Sequence, residues 1–249
     1  LIVKIKSLNN NMMHKMKESI KIEPPFFEIG PKAFMYGERI VKLAKAADVI
    51  SKKYDVRIII TPQYSDIYRL AEETENVLIF AQHMDPITKG RGLGSVLPEA
   101  IKAAGAVGVM LNHAEKPMTI SDLNRAIKRA KDVDLISIVC ADTIEEAVAI
   151  AHFSPDIIVA EPTELIGNGK PSDKRYITET TAAIKAINPS IQVLQGAGIS
   201  NGRDVYNVIK AGADATGTTS GIMKAHDPEA MLEEMIRSIR VAWDEVHKY

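Results

Sequence analysis

The chain is 249 residues long, with 46% apolar and 25% charged residues and a net charge of −1. That length and balance suit one large globular domain or two small ones, and the near-zero charge gives no electrostatic case for nucleic acid or an anionic membrane as partner. A single cysteine, Cys140, excludes an internal disulfide framework and a multi-cysteine zinc site, and no run of about 18 uncharged apolar residues marks a membrane span.

The low cysteine content fits a reducing, cytoplasmic setting. Residues 1–24 are read as an N-terminal extension, in part non-native, because the first methionines come at Met12, Met13 and Met16. After Val3 the stretch is too polar for a secretory signal. Residues 25–249 are read as one domain.

Taken in chain order, short apolar runs then alternate with amphipathic stretches. The first run, 26–30, ends in Gly30-Pro31-Lys32. A helix follows over 38–53, with Ile40, Leu43, Ala44 and Ala47 three and four apart. Runs at 56–61, 77–82 and 107–112 come next, the last two leading into His83 and His113. A helix over 122–131 takes Ser121 as its candidate N-cap. The run at 135–140 precedes Thr143, whose following Glu145-Glu146 place acids at the positive end of a helix. The run at 156–160 delivers Glu161. A helix over 179–187, a run at 191–195 and a helix over 203–211 continue the alternation. The eighth run, 213–217, is weak by propensity and is required chiefly by the repeat. A final helix covers 228–248.

Eight such strand-then-helix units match a (β/α)8 barrel. An open doubly wound sheet normally carries a G-x-G-x-x-G turn after its first strand, and Gly30-Pro31-Lys32 does not serve as one. In a parallel barrel all strand C-termini face one rim, where loops build the site. Reading those ends gives Lys32, Gln82-His83, Asn112-His113, Glu161, Gly198 to Ser200, and Thr219 to Gly221.

Glu161 is the leading base, since partial burial at an apolar rim raises a carboxylate's pKa. The bland alternative is a rim carboxylate paired with a lysine. The loop from Pro162 to Gly169 has the rigid start and glycine-rich end of a segment that closes over substrate. His113 is placed to polarise a substrate carbonyl, or else it is a strand-end histidine satisfied by backbone. Glu115 is a second acid or an ion-pair member. His83 reads as a supporting or subunit-contact residue. Small-residue loops at Gly196–Ser200 and Thr218–Gly221 let a phosphate approach the backbone closely.

Together, the Asn-His-x-Glu-Lys run at 112–116, the Glu-Pro-x-Glu-Leu-Ile-Gly-x-Gly run at 161–169 and the two small-residue loops resemble the triosephosphate isomerase family, in its shorter archaeal-type branch. The resemblance implies a cofactor-free, metal-free aldose–ketose isomerase acting on glyceraldehyde 3-phosphate and dihydroxyacetone phosphate. Glu161 is then the proton-shuttling base, His113 the electrophile and Lys32 a cation facing the phosphate and carbonyl. The Glu base with a neutral His is the established scheme for triosephosphate isomerase. Gly30, Ile166, Gly167, Gly198, Thr219 and Ser220 fall on substrate-contacting positions. The family also implies homo-oligomers, dimers or tetramers, in the cytoplasm.

Three positions depart from the family pattern. The first-strand Asn falls on Gly30, removing a side-chain donor whose loss costs about 100-fold or more in rate. The Ser after the catalytic His is Ala114, and the loop 89–94, a subunit contact in the family, lacks its usual Thr. Room at Gly30 raises a four-carbon ketose phosphate as an alternative substrate. Gly30 and Ala114 together raise a non-catalytic, phosphate-metabolite-binding protein as a third reading.

Overall fold

A computed structural model of the chain describes residues 20–167, 169 and 172–247. Eight strands form, namely β1 (Phe26–Ile29), β2 (Arg57–Ile60), β3 (Val77–Ala81), β4 (Gly108–Leu111), β5 (Ile136–Ala141), β6 (Ile157–Ala160), β7 (Gln192–Gln195) and β8 (Ala215–Thr218). All neighbours pair in parallel and in chain order, and β1 closes the ring on β8, which makes a (β/α)8 barrel. The weak eighth run is a strand because β1 and β7 both offer it a ladder.

The helices are α1 (Glu38–Tyr54), α2 (Tyr64–Glu73), α3 (Pro98–Ala103), α4 (Ile120–Asp132), α5 (Ile144–Ala151), α6 (Lys174–Ile187), α7 (Gly202–Lys210), the single turn α8 (Ser220–Met223) and α9 (Pro228–His247). Sequence pattern missed α2 and α3, which are short and bury only a few side chains each. It also placed two helix starts too late. Thr119, not Ser121, caps α4, accepting from the Asp122 backbone N–H at 3.1 Å. Asp173 caps α6, which starts at Lys174, five residues ahead of the expected start, and it accepts from the Tyr176 N–H at 2.8 Å. Residue 248, the expected end of the last helix, lies outside the described residues, as do residues 1–19 of the N-terminal extension.

The core has two shells, set by the period of two along each strand. Inside the barrel Phe26, Ile59, Leu78, Phe80, Ile138, Cys140, Ile157, Val159 and Leu194 pack on one another, and Ile22 joins them. Their neighbours Phe27, Ile58, Ile60, Ile79, Val139, Ile158 and Val193 face outward and pack under the helices. Gly108 of β4 is a glycine because the Phe80 ring lies where its side chain would be; a Cβ there would stand 2.0 Å from Cε1 of Phe80.

A Gly108→Ala substitution should therefore destabilise the fold by about 2 kcal/mol or more through overpacking. Chemical denaturation of the two proteins measures it, and an unchanged midpoint would show that the interior yields to the extra methyl.

Candidate active site

The inward-facing ring above the core holds Gly30, Thr61, Gln82, Asn112, Glu161, Gly196 and Thr219. At several of these positions the ladder runs one residue past the strands. The N–H of Gly30 donates to Thr218 O at 3.2 Å, that of Thr61 to Ile29 O at 3.1 Å and that of Glu161 to Ala141 O at 3.0 Å. The residues are thus fixed by sheet geometry, not by loops.

After Gly30 the chain turns sharply. Lys32 adopts a left-handed backbone (φ 48°), unusual for a residue with a side chain. Two amides hold it there: Gln63 Nε2 and Gln82 Nε2 donate to the Lys32 carbonyl at 2.7 and 3.1 Å. Gln82 also donates to the Thr61 carbonyl at 2.9 Å. The turn aims the ammonium across the mouth, where Nζ meets Glu115 Oε1 at 2.7 Å. Glu115 is thus the ion-pair member, and Lys116 is an exposed lysine. Lys32 holds the Glu115 carboxyl below the usual range.

Asn112, also left-handed (φ 58°), braces the next loop. Its Nδ2 donates to Cys140 O at 3.1 Å, and its Oδ1 accepts from Met118 N–H at 3.0 Å. This presents His113 toward β6, with Nε2 3.8 Å from Glu161 Oε2. On the other side of the ring Nδ1 accepts the Glu115 backbone N–H at 3.0 Å. A nitrogen that accepts carries no proton, so the neutral ring has its N–H on Nε2, facing Glu161. Burial, with the charge of Lys32 adding to it, pushes the His113 pKa down and favours that neutral form. The Glu161 carboxyl is pushed up, first by burial, with Lys32 opposing and Glu115 assisting. Gly196 borders it, although the tighter neighbour of a Cβ there would be Val159 Cγ1 at 3.1 Å.

The segment after Glu161 forms one 3-10 turn, Thr163–Leu165, tied to the β5 loop where Thr163 N–H donates to Asp142 Oδ1 at 2.5 Å. Gly167 and Gly169 both have positive φ (73° and 72°), so glycine is required at each for its backbone. A Cβ on Gly169 would lie 3.6 Å from Ser200 Oγ, so this loop reaches the one after β7. The loops after β7 and β8 lock together in turn: Thr218 Oγ1 donates to Ile199 O at 2.7 Å and accepts the Gly221 N–H at 3.2 Å. Gly198, Thr219 and Ser220 lie on this joined surface. Ile166 and Gly167 lie on the β6 loop.

The structure thus brings Lys32, His113 and Glu161 to one mouth, with the β6, β7 and β8 loops beside them. His83 stands apart, buried with Nε2 3.4 Å from Asp85 Oδ1. Among the described residues no group of three or more His, Cys, Asp or Glu side chains is placed to hold a metal ion.

One polar residue of the mouth escaped the sequence reading. Glu28 of β1, 7% exposed, sits inside the barrel, and its pKa is pushed up to about 8, chiefly by burial. The Thr61 hydroxyl donates to its Oε1 at 2.8 Å. The available signal was the alternation Phe26, Glu28, Gly30, which puts a lone acid on the inner face. Glu28 also corrects the expectation that Gly30 leaves room. A Cβ on Gly30 would stand 3.1 Å from Thr219 Oγ1 and 3.2 Å from Glu28 Oε1, so these two side chains already border that space. Gln82 does not fill it, being spent on backbone carbonyls.

A parallel barrel carrying a buried carboxylate, a neutral imidazole and a lysine at its C-terminal mouth, beside glycine-rich loops, defines a proton-transfer enzyme of the phosphate-binding barrel class. Comparison with known proteins narrows the class. The family model described as triosephosphate isomerase matches residues 32–238. The triosephosphate isomerase of Methanothermus fervidus is 42% identical over 203 residues, covering 80% of this chain and 91% of the relative. That of Methanosarcina barkeri is 39% identical over 220 residues, covering 86% and 99%. That of Saccharolobus solfataricus is 38% identical over 221 residues, covering 87% and 97%. The chain belongs to the triosephosphate isomerase family.

The elevated Glu28 pKa has a consequence for stability. A carboxyl whose pKa is higher folded than unfolded favours the folded state most below its unfolded value of about 4.5. Between there and about 8 the folded protein retains a proton that the unfolded chain has lost. Over that window this one group should cost about 1.4 kcal/mol of stability per pH unit. Comparing unfolding free energies of wild type and Glu28→Gln across pH 5–8 isolates the contribution; parallel curves would refute it.

Proposed function

We propose that this protein interconverts glyceraldehyde 3-phosphate and dihydroxyacetone phosphate by proton transfer through an enediolate. The observation that carries the reading is the pairing of His113 Nε2 with Glu161 Oε2 at 3.8 Å, with His113 Nδ1 already occupied by a backbone donor. A hydrogen-bond donor and a base then face the same small volume.

Glu161 removes the proton from the carbon next to the carbonyl. His113 donates from Nε2 to the oxygen on which charge develops, and the Lys32 ammonium adds field from β1. The hydroxyl proton passes from one oxygen to the other through His113, and Glu161 returns its proton to the neighbouring carbon, so hydrogens and electrons balance within the substrate and the reaction needs no cofactor. The raised Glu161 pKa suits this exchange, since a stronger base is better matched to a carbon acid. Neutral His113 avoids placing a cation that would hold Glu161 in an ion pair. The β6 loop with Ile166 and Gly167, Gly198 after β7, and Thr219-Ser220 after β8 hold the phosphate, whose close approach the small residues permit. The three-carbon pair is favoured over a four-carbon ketose phosphate because Glu28 and Thr219 border the space beside Gly30.

Glu161→Gln should lower kcat about 1,000-fold or more with little change in fold, and Lys32→Met should cost about 100-fold. A coupled assay with each triose phosphate checks both, and full activity in the Gln variant would exclude the mechanism.

The protein is further read as a cytoplasmic homo-oligomer, dimer or tetramer, binding neither nucleic acid nor membrane. Leu93 stands fully exposed in the loop after β3, the loop that is a subunit contact in the family, and this supports self-association. No helix among the described residues is long and apolar enough to cross a membrane. Leu93→Asp should shift sedimentation toward the monomer; an unchanged coefficient would place the interface elsewhere.

A further inference from the structure

The β1 strand sets Phe26, Glu28 and Gly30 on the inner face, so Glu28 lies one pleat below the mouth. Its side chain nevertheless reaches the level of residue 30. Oε1 and Oε2 stand 3.2 and 3.4 Å from the point a Cβ on Gly30 would take. On the adjoining strand β8, Gly217 is its ladder partner, and a Cβ there would stand 3.1 Å from Oε2 and 2.7 Å from the Glu28 carbonyl oxygen. Two inward-facing glycines on paired strands thus cradle one carboxyl, and any side chain at either would crowd it.

The carboxyl's two oxygens have different surroundings. Oε1 accepts from the Thr61 hydroxyl at 2.8 Å, while Oε2 lies on the glycine side. Among the described residues, the charges acting on Glu28 are those of Glu161 at the end of β6 and Lys32 after β1, and the Cys140 thiol of β5 feels Glu28 in return. The carboxyl therefore shares its surroundings with the proposed base and the lysine, not with an isolated core.

We propose that Glu28 is a substrate-facing hydrogen-bond donor of this site, its O–H reaching the hydroxyl–carbonyl oxygens of the triose phosphate from inside the barrel, where Gly30 supplies no side chain. The inference rests on the isomerase reading. A second carboxylate here would repel both Glu161 and the enediolate, whereas a neutral acid stabilises the developing charge. Burial pushes the Glu28 pKa up to about 8, which keeps it protonated at neutral pH. As pH rises through that value the donor is lost and a repelling charge appears, so kcat/KM falls on the alkaline side.

The test uses the full chain, with Glu28→Gln, which keeps a donor but cannot ionise, and Glu28→Val, which keeps neither. Isomerase kcat/KM is followed from pH 6 to 10, together with binding of 2-phosphoglycolate and of inorganic phosphate. The Val variant should lose about 100-fold in kcat/KM and bind 2-phosphoglycolate much more weakly, with inorganic phosphate affinity unchanged. The Gln variant should recover most of the turnover and lack the alkaline decline near pH 8. Wild-type activity in the Val variant, or the same alkaline decline in the Gln variant, overturns the proposal. Should the Val variant not fold, the Gln pH profile decides alone. Should wild type isomerise neither triose phosphate, the isomerase reading fails, and Glu28 is judged by whether 2-phosphoglycolate binding distinguishes the variants while inorganic phosphate binding does not.

Discussion

The site depends on the closure of the parallel ladder between β8 and β1. Closure puts eight strand ends on one rim, and the period of two then decides which residue of each strand looks inward. Glu161 faces inward because Ile157 and Val159 do, and Gly30 because Phe26 does. The hydrogen bonds from the N–H groups of Gly30, Thr61 and Glu161 to neighbouring strands extend this control past the last regular residues. Reacting groups on such positions inherit the rigidity of the barrel. Lys32 and His113 lie a residue or two farther on, in turns that the side-chain amides of Gln63, Gln82 and Asn112 brace.

Within that frame the electrostatics hinge on which groups stay charged. The Lys32–Glu115 pair is the ionised one, and with Glu115 about two-thirds exposed it adds little to stability. Its value is positional. The contact holds the ammonium over the mouth, and the Glu115 backbone N–H fixes the His113 tautomer. One short segment, 113–116, thereby orients both the imidazole and the lysine. Deeper in the barrel solvation is poorer, and His113, Glu161 and Glu28 are all shifted toward their neutral forms by burial. The charge of Lys32 opposes this at both carboxyls. Glu161, nearer solvent, is the better placed of the two to ionise.

The barrel and the Lys32, His113, Glu161 trio were legible in the sequence because both follow from strand ends, and strands of Ile and Val announce themselves. The second and third helices were not, being short, with only two or three buried side chains each. The starts of α4 and α6 were less legible because their caps, Thr119 and Asp173, lie ahead of the apolar periodicity. Glu28 was hidden for a different reason. A lone acid within Phe-Phe-Glu-Ile-Gly reads as noise in an apolar run unless its parity is followed to Gly30. For the same reason Gly30 reads as a vacancy. Sequence shows that a side chain is absent there, but only three-dimensional placement shows that a neighbour two residues back has reached into its place.

The glycines of the rim divide by cause, and the division separates scaffold from site. Gly167, Gly169 and Gly198 have positive φ and serve the path of the backbone. Gly108 yields to an aromatic ring in the core. Gly30, Gly196 and Gly217 have ordinary backbones and are small because neighbours lie against them: Thr219 and the Glu28 carboxyl beside Gly30, the backbone and side chain of Glu28 beside Gly217, and Val159 beside Gly196. A barrel interior packed as densely as other cores has no spare volume for a buried acid. Gly30 and Gly217, two inward positions without side chains, supply it for Glu28. What departs from the family at Gly30 is therefore better understood together with Glu28 than as a loss at one position, because an Asn side chain at residue 30 and the present position of the Glu28 carboxyl compete for the same space.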